Sequence, residues 1–499
     1  MKIPKEIEKI ITKIEKAGHE VFFVGGCVRD LLSGKEPLDY DMTTSATPEE
    51  ILKVFGDAKY ENDFGTVLVS YEVKINGEKK RRAVETTTYR SEQGYRDKRR
   101  PDEVRFEKDL DKDLARRDFT INALAMKASK SKIKLPENLK KYIKERGEFI
   151  IVDLFGGESD LKKKIVRAVG EPSDRFREDA LRMMRAVRFA CQLGFSIEPK
   201  TERAIVKNAG NIKFIAKERV GVELQKILES SDPYRGIMVM HEAKLLQYII
   251  PELENGKDMP QNHHHIYSVF KHNVLSLKFC PSLDWRVRFA ALLHDIAKPQ
   301  TRKIINNQTT FYNHDFVGAK VASKIMDRLK YSSEDSEKVV NLVKNHMFYY
   351  NVGEVTEASV RRLIQKTGKE NLKDLIDLRI ADRLGSGTPK AKPYKLRHLE
   401  YIMKKVQNDP VSVKMLKIDG SNIMKILNIT PSPKIGAILD VLLAEVIEDK
   451  SLNNKKYLEK RSKELDKLDL AELRKKAREA IEEKREVDDL EIKKEFYVK

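Results

Sequence analysis

Six residues, Gly25-Gly26-Cys27-Val28-Arg29-Asp30, follow directly on the apolar run His19 to Val24 and are themselves followed by Asp39-Tyr40-Asp41. The apolar run predicts a strand. Gly25-Gly26 then lets the backbone turn sharply and come close to a triphosphate with no Cβ in the way. Arg29 can fork onto phosphate oxygens. If Asp39 and Asp41 lie in a strand, they point to one face and can hold a pair of hard divalent cations, an arrangement suited to phosphoryl or nucleotidyl transfer. Either feature alone is ordinarily a turn or a solvated loop, and their order and spacing together argue for chemistry.

The match GGCVRDLLSGKEPLDYDMTT resembles the signature of the nucleotidyltransferase superfamily that contains class II CCA-adding enzymes and bacterial poly(A) polymerases. Four further stretches support the resemblance. LARRDFTINALA, Leu114 to Ala125, is similar to a second motif, in which Arg117 would reach phosphate while Asp118 and Asn122 read a ribose hydroxyl from one helical face. Asp153 to Asp160 resembles a glycine hinge between head and neck. Glu178-Asp179-Ala180-Leu181-Arg182 reads as helix, with Asp179 and Arg182 neighbours at i and i+3 and Arg185 and Arg188 continuing the row at steps of three; the resemblance implies that Asp179 and Arg182 serve as a protein template for CTP and ATP. An acceptor and a donor together complement the edge of cytosine or adenine. Lys217 to Leu228 resembles a mainly structural fifth motif.

Glu85 is expected as a third acidic residue near Asp39 and Asp41, and the loop Ser91 to Pro101 as the element that helps the pocket change from CTP to ATP. A second constellation, His272, His294-Asp295, His314, His346 and Asp382, follows the order of the HD phosphohydrolase superfamily around AALLHDIAKP. These types can ligate a divalent ion. Mg2+ is expected in the head, and Ni2+, Mn2+ or Co2+ at the histidines. The triplet His263 to His265 reads as incidental.

The implied fold is α+β. A nucleotidyltransferase head with a small sheet (1–157) is followed by an all-helical neck and body (158–255), an HD domain (262–385) and a charged helical tail (386–499). The Lys-rich segment Ser129 to Arg146 reads as a surface insertion. With 97 Lys and Arg against 78 Asp and Glu over 499 residues, a polyanionic partner is favoured. Three scattered cysteines, Cys27, Cys191 and Cys280, argue against a disulfide framework. No apolar run is long enough to span a membrane, and a cytoplasmic location is expected. The implied activity is addition of CCA to tRNA from CTP and ATP. CC-only or A-only addition, poly(A) synthesis and a chiefly hydrolytic HD protein are the alternatives.

Overall fold

The computed structural model describes residues 3–62, 65–75, 78–93, 103–129, 136–261, 266–306, 308–348, 350–407, 416–476 and 493–498. The tip of the proposed CTP-to-ATP loop, from Gly94, and the histidine triplet lie outside these residues. By internal contacts the chain forms two units. One comprises Met1–His346 with Asp374–Thr388, the other Met347–Lys373 with Pro389–Lys499.

The first unit begins with the helix Lys5–Lys16, which buries Ile7, Ile10 and Ile14 at helical spacing. Strands then follow as β1 (Val21–Val24), β2 (Asp41–Thr44), β3 (Lys59–Asn62), β4 (Thr66–Ile75), β5 (Glu78–Thr88), β6 (Arg90–Gln93), β7 (Glu103–Phe106), β8 (Leu124–Ala128), β9 (Ile143–Arg146) and β10 (Phe149–Asp153). Eight of them form one sheet, ordered β3-β4-β5-β2-β1-β8-β10-β9, while β6 and β7 pair separately. Only the β2–β5 pair in that large sheet is parallel. Alternation along the strands divides the core between two faces. Phe23, Met42, Val67, Val69, Val84, Leu124 and Met126 line one, packed on the N-terminal helix. Phe22, Val24, Tyr89, Ala125 and Val152 line the other with Leu110 and Leu114.

Beyond residue 157 the described elements are helical except for two short strand pairs, Ile165–Val166 with Ser196–Ile197 and Lys303–Ile305 with Gln308–Thr310. Two expectations need correction. The end of the supposed Lys-rich insertion is the edge strand β9, paired with β10 over Ile143 to Arg146, because a sheet edge tolerates a charged strand that the hydrophobic pattern does not reveal. The C-terminal region is more than charged surface helix. Leu416, Ile423, Ile438, Leu442, Leu458, Leu465 and Leu473 close a core within the second unit.

The two hinge-motif glycines differ. Gly156 takes a left-handed conformation at φ 75°, with open space where a Cβ would go. At Gly157 a Cβ would lie 2.2 Å from the Thr120 carbonyl oxygen. Its amide donates to Asp153 Oδ1 at 2.7 Å, fixing the start of the helix Gly157–Lys163. Gly157→Ala should therefore destabilise the protein by about 1–3 kcal/mol through overpacking, against roughly 1 kcal/mol for Gly156→Ala. Urea midpoints of the two variants provide the measurement, and equal effects would contradict the close-packing role.

Candidate active site

Gly25 ends β1 at φ 74°, ψ −136°, a conformation costly for any residue with a Cβ. A Cβ there would stand 3.5 Å from both Arg117 Nη1 and Asp41 Oδ2, so the cation and the carboxylate converge over this glycine. Asp41 opens β2, directly opposite Glu85 of β5 in the parallel register. Glu85 is thereby placed beside Asp41, as expected. Asp39 is not in the strand but in an exposed bend ahead of it, so strand alternation does not account for its position. Burial raises the Asp41 carboxyl above the usual range, Arg117 pulling it down and Asp39 pushing it up. Partial burial likewise raises Glu85, assisted by Asp41, Glu61 and Asp39. Carboxylates that repel one another in this way are a ready receptor for hard cations.

Arg29 donates to Asn122 Oδ1 at 3.0 Å and to Asp30 Oδ1 at 2.9 Å. Arg117 is held by Asp113 at 3.0 Å, and the same fully buried carboxylate binds Arg116 at 2.7 Å and accepts from the Thr43 hydroxyl at 3.2 Å. Asp113 is a residue that motif reading missed. Its signal was available in the i+3 and i+4 spacing to Arg116 and Arg117. Asp118 and Asn122 are not on an α-helix. Phe119 is extended and bridges to Ala168, and Thr120–Asn122 is a single 3-10 turn. Asn122 Nδ2 nevertheless reaches Asp118 Oδ1 at 3.3 Å, while Arg185 grips Asp118 Oδ2 at 2.7 Å through Nε. Burial raises the Asp118 carboxyl, but Arg185 outweighs it and holds it below the usual range.

The EDALR stretch also departs from a continuous helix. The helix Pro172–Glu178 stops at Asp179 (φ −133°, ψ 105°), and a new one runs Leu181–Leu193. Asp179 Oδ1 accepts from the Leu181 amide at 3.0 Å and Oδ2 from Arg219 at 3.0 Å. Arg182 pairs with Glu178 at 2.7 Å and donates to the Arg116 carbonyl at 3.0 Å. An Asp179–Arg182 ion pair is thus absent among the described residues, and each group is oriented by a different neighbour. Arg188 is bound to Glu223 at 3.0 Å. Arg29, Arg185 and Arg188 gather around the Phe189 ring at 5.6, 5.4 and 4.4 Å from its centroid. Arg219 and Glu223, one turn apart on the helix Lys217–Leu228, give that stretch a role in the site which its structural reading had not assigned.

The histidine constellation assembles in the same unit. His272 and His294 bring their Nε2 atoms to 3.0 Å, and His314 and His346 theirs to 3.3 Å. Asp295 faces both pairs, with Oδ2 at 3.2 Å from His272 and Oδ1 at 3.2 Å from His314; Asp382 lies 3.3 Å from His272. The Nδ1 atoms of His294, His314 and His346 meet the carbonyls of Ala291, Phe311 and Val343 at 2.7–2.8 Å. Carbonyls only accept, so these Nδ1 atoms carry the protons and the Nε2 lone pairs turn inward, the orientation of metal-ligating histidine. Two trios emerge, His272-His294-Asp382 and Asp295-His314-His346, each with ligand atoms within 4.8 Å of one another.

A carboxylate-lined strand pair beside a glycine turn, on a head followed by helices, defines a nucleotidyltransferase. The family described as Poly A polymerase head domain matches residues 21–167, that described as Probable RNA and SrmB- binding site of polymerase A matches 194–257, and HD domain matches 274–386. A CCA-adding enzyme of Lactiplantibacillus plantarum is 35% identical over 88% of this chain and 90% of its own length. An A-adding tRNA nucleotidyltransferase of Deinococcus radiodurans is 31% identical over 84% of this chain and 89% of its own. Two other curated CCA-adding enzymes, 43% and 44% identical, are spanned over only 60% and 55% of their length. The structure of a Bacillus stearothermophilus CCA-adding enzyme in complex with CTP superposes with a TM-score of 0.58 at 25% identity, covering 94% of this chain and 98% of that one. The chain belongs to the family of tRNA nucleotidyltransferases that these CCA-adding and A-adding enzymes represent. No helix of the described residues is long and apolar enough to cross a membrane.

Asp113 gives a pH test. Burial pushes its carboxyl up, yet Arg116 and Arg117 outweigh this and hold it at about 2. A depressed carboxylate stabilises the fold above its unfolded value near ~3.9 and loses that contribution as pH falls through the folded value. Asp113→Asn should lower stability at neutral pH by about 2–3 kcal/mol. It should also flatten the loss of stability between pH 4 and 2, as read by denaturant midpoints across that range.

Proposed function

We propose that this protein adds C, C and A to tRNA 3′ ends from CTP and ATP, without a nucleic-acid template, in the cytoplasm. The convergence of Asp41 and Arg117 over Gly25, with Glu85 in register beside Asp41, carries the reading. It supplies a carboxylate face for metal next to a cation for phosphate. Asp39, Asp41 and Glu85 fit Mg2+ as hard oxygen donors. When bound there, divalent ions favour the 3′-oxyanion and offset charge on the departing pyrophosphate.

The chain's own residues do the rest. Backbone amides at Gly25-Gly26 and the guanidiniums of Arg29 and Arg117 receive the triphosphate, with Asp113 keeping Arg117 aimed. Asp118 and Asn122 read the ribose, and Arg185 and Arg188 complete the cationic wall. Asp179 accepts from the exocyclic amine, and Arg182 donates to the adjacent ring nitrogen. Cytosine and adenine present that pair, whereas uracil and guanine place a carbonyl where the amine should be and would face the Asp179 carboxylate unfavourably. The proposed exchange between CTP and ATP involves the segment Ser91 to Pro101, whose first residues, Ser91 to Gln93, belong to strand β6.

Full CCA addition and A-only addition, the activity named for the Deinococcus relative, are separated by one assay. Transcripts lacking three nucleotides or one nucleotide are offered CTP, ATP or both. Extension of the shorter transcript by three nucleotides is expected, and extension only of the one lacking the terminal A would favour the A-adding reading. Asp41→Ala should reduce addition by on the order of a thousandfold or more, with folding and RNA binding retained. Near-normal incorporation by the folded variant would remove Asp41 from the metal site.

A second activity is favoured by the inward-facing imidazoles. His272, His294 and Asp382 would hold one ion and His314 and His346 another, with Asp295 between them. Imidazole-rich sites suit Ni2+, Mn2+ or Co2+, and such a centre would hydrolyse a terminal or 2′,3′-cyclic phosphate. Metal analysis after loading should give two ions per chain in the wild type, and loss of hydrolysis in His294→Ala with nucleotide addition unchanged. A metal-free, inactive wild type across all three ions would leave the constellation structural.

A further inference from the structure

Asp382 reaches the histidine constellation on the helix Leu372–Gly385, after the chain has passed through the second unit. It lies 3.3 Å from His272 and 3.7 Å from His294. Local sequence cannot set these distances, which depend on where the returning helix docks. Its last turn is fixed by close packing, since a Cβ on Gly385 would lie 2.3 Å from Ser276 Oγ, one turn beyond His272. Its first turn is fixed by charge. Asp374 accepts from Lys338 at 2.7 Å, and the same ammonium donates to Asp284 at 2.9 Å. Asp284 is the N-cap of the helix Trp285–Leu293, where it accepts from the Arg286 amide at 2.9 Å and from the Arg286 guanidinium at 2.8 Å. Burial alone would lower the Lys338 ammonium, but Asp374 and Asp284 outweigh it and raise it above its ordinary value, so the cation is retained at neutral pH.

Lys338 therefore joins three helices, each of which carries a member of the constellation further along. From Lys338 to His346, from Asp374 to Asp382 and from Asp284 to His294 the chain runs eight, eight and ten residues, about 12, 12 and 15 Å of helical rise. All three run from the ammonium toward the histidines. Arms of nearly equal length from one shared point set the relative heights of His346, Asp382 and His294. A cation close to helix N-termini is unfavourable on its own, and it is the carboxylates at the Asp284 cap and in the Asp374 turn that admit Lys338 here. A half-buried ion pair of this kind contributes little net stability, and its better-attested use is to specify one arrangement of the elements it joins.

We propose that Lys338 is a positioning residue of the histidine centre, holding the helix Leu372–Gly385 at the height where Asp382 completes a metal site with His272 and His294. The role rests on the metal-binding reading above and adds to it the group on which one of the two ions depends. Arg379 bonds Asp382 at 2.7 Å and orients its carboxylate, but it sits on the same helix and cannot place that helix.

The experiment uses the full chain, with Mn2+, Ni2+ or Co2+ alone as the probe. Asp374→Asn removes only the tie to the returning helix and leaves Lys338 paired with Asp284, whereas Lys338→Met removes the whole junction. Each should weaken calorimetric binding of one ion about tenfold or more and leave the second at its wild-type affinity. The ion affected should be the one that Asp382→Asn loses. Lys338→Arg should keep both. In metal-free protein, the backbone amides of 374–385 should exchange hydrogen about tenfold faster in Asp374→Asn than in the wild type, with those of His314–Arg328 unchanged. Nucleotide addition by the head should be unaffected in each variant, which checks the fold.

Unchanged exchange and ion binding in the folded variants would overturn the proposal. Faster exchange with both ions bound as in the wild type would also overturn it and leave a structural ion pair. If Lys338→Met fails to fold, Asp374→Asn decides alone. Wild type that binds no ion would defeat the metal reading, while exchange at 374–385 still decides whether Lys338 places the helix that carries Asp382.

Discussion

Buried and half-buried carboxylates holding arginines are the constraint on which the site depends. A guanidinium keeps its charge at any physiological pH, so an arginine meant for a nucleotide must be positioned without being neutralised by a proton shift. Here Asp113 takes Arg116 and Arg117, Asp118 takes Arg185, Glu178 takes Arg182, Asp179 takes Arg219 and Glu223 takes Arg188. Each pair ties together segments distant in sequence or fixes a helix end. Asp118 with Arg185 links the second motif to the helix Leu181–Leu193, which begins within EDALR. Losing one partner would leave its mate charged in a desolvated place, a greater penalty than the pair itself contributes.

This arrangement also reconciles affinity with release. The guanidiniums retain donors that can be shared with phosphate oxygens, and Phe189 beneath Arg29, Arg185 and Arg188 accepts their faces without consuming any donor. In the proposed nucleotide site these guanidiniums are already oriented, so less side-chain freedom would be lost on binding.

Much of the site could be read in the sequence where chemistry and local order coincide. The turn at Gly25-Gly26 and the grouping of six histidine and aspartate side chains follow from residue type and position along the chain. Glu85 was found through resemblance, and its physical reason, the parallel register with Asp41, is a long-range pairing that no local pattern encodes. The errors share one source. Helical spacing was assumed for Asp118 to Asn122 and for Asp179 to Arg182. Tertiary contacts bend the backbone at both places, Phe119 into a bridge with Ala168 and Asp179 into an extended break. Asp113, Arg219 and Glu223 were missed because they act through other side chains. The core of the second unit was hidden by a polar surface, since Leu458 and Leu465 are separated by charged residues on one helix.

The first unit is not continuous in sequence. It leaves at His346 and resumes at Asp374, and Asp382 lies on the returning stretch. During synthesis, five of the six side chains of the histidine constellation emerge before the chain departs for the second unit, and the last only after it comes back. The centre therefore cannot close cotranslationally in step with its own histidines. The Met347–Lys373 excursion must be completed before His272, His294, Asp295, His314, His346 and Asp382 are all present in one unit.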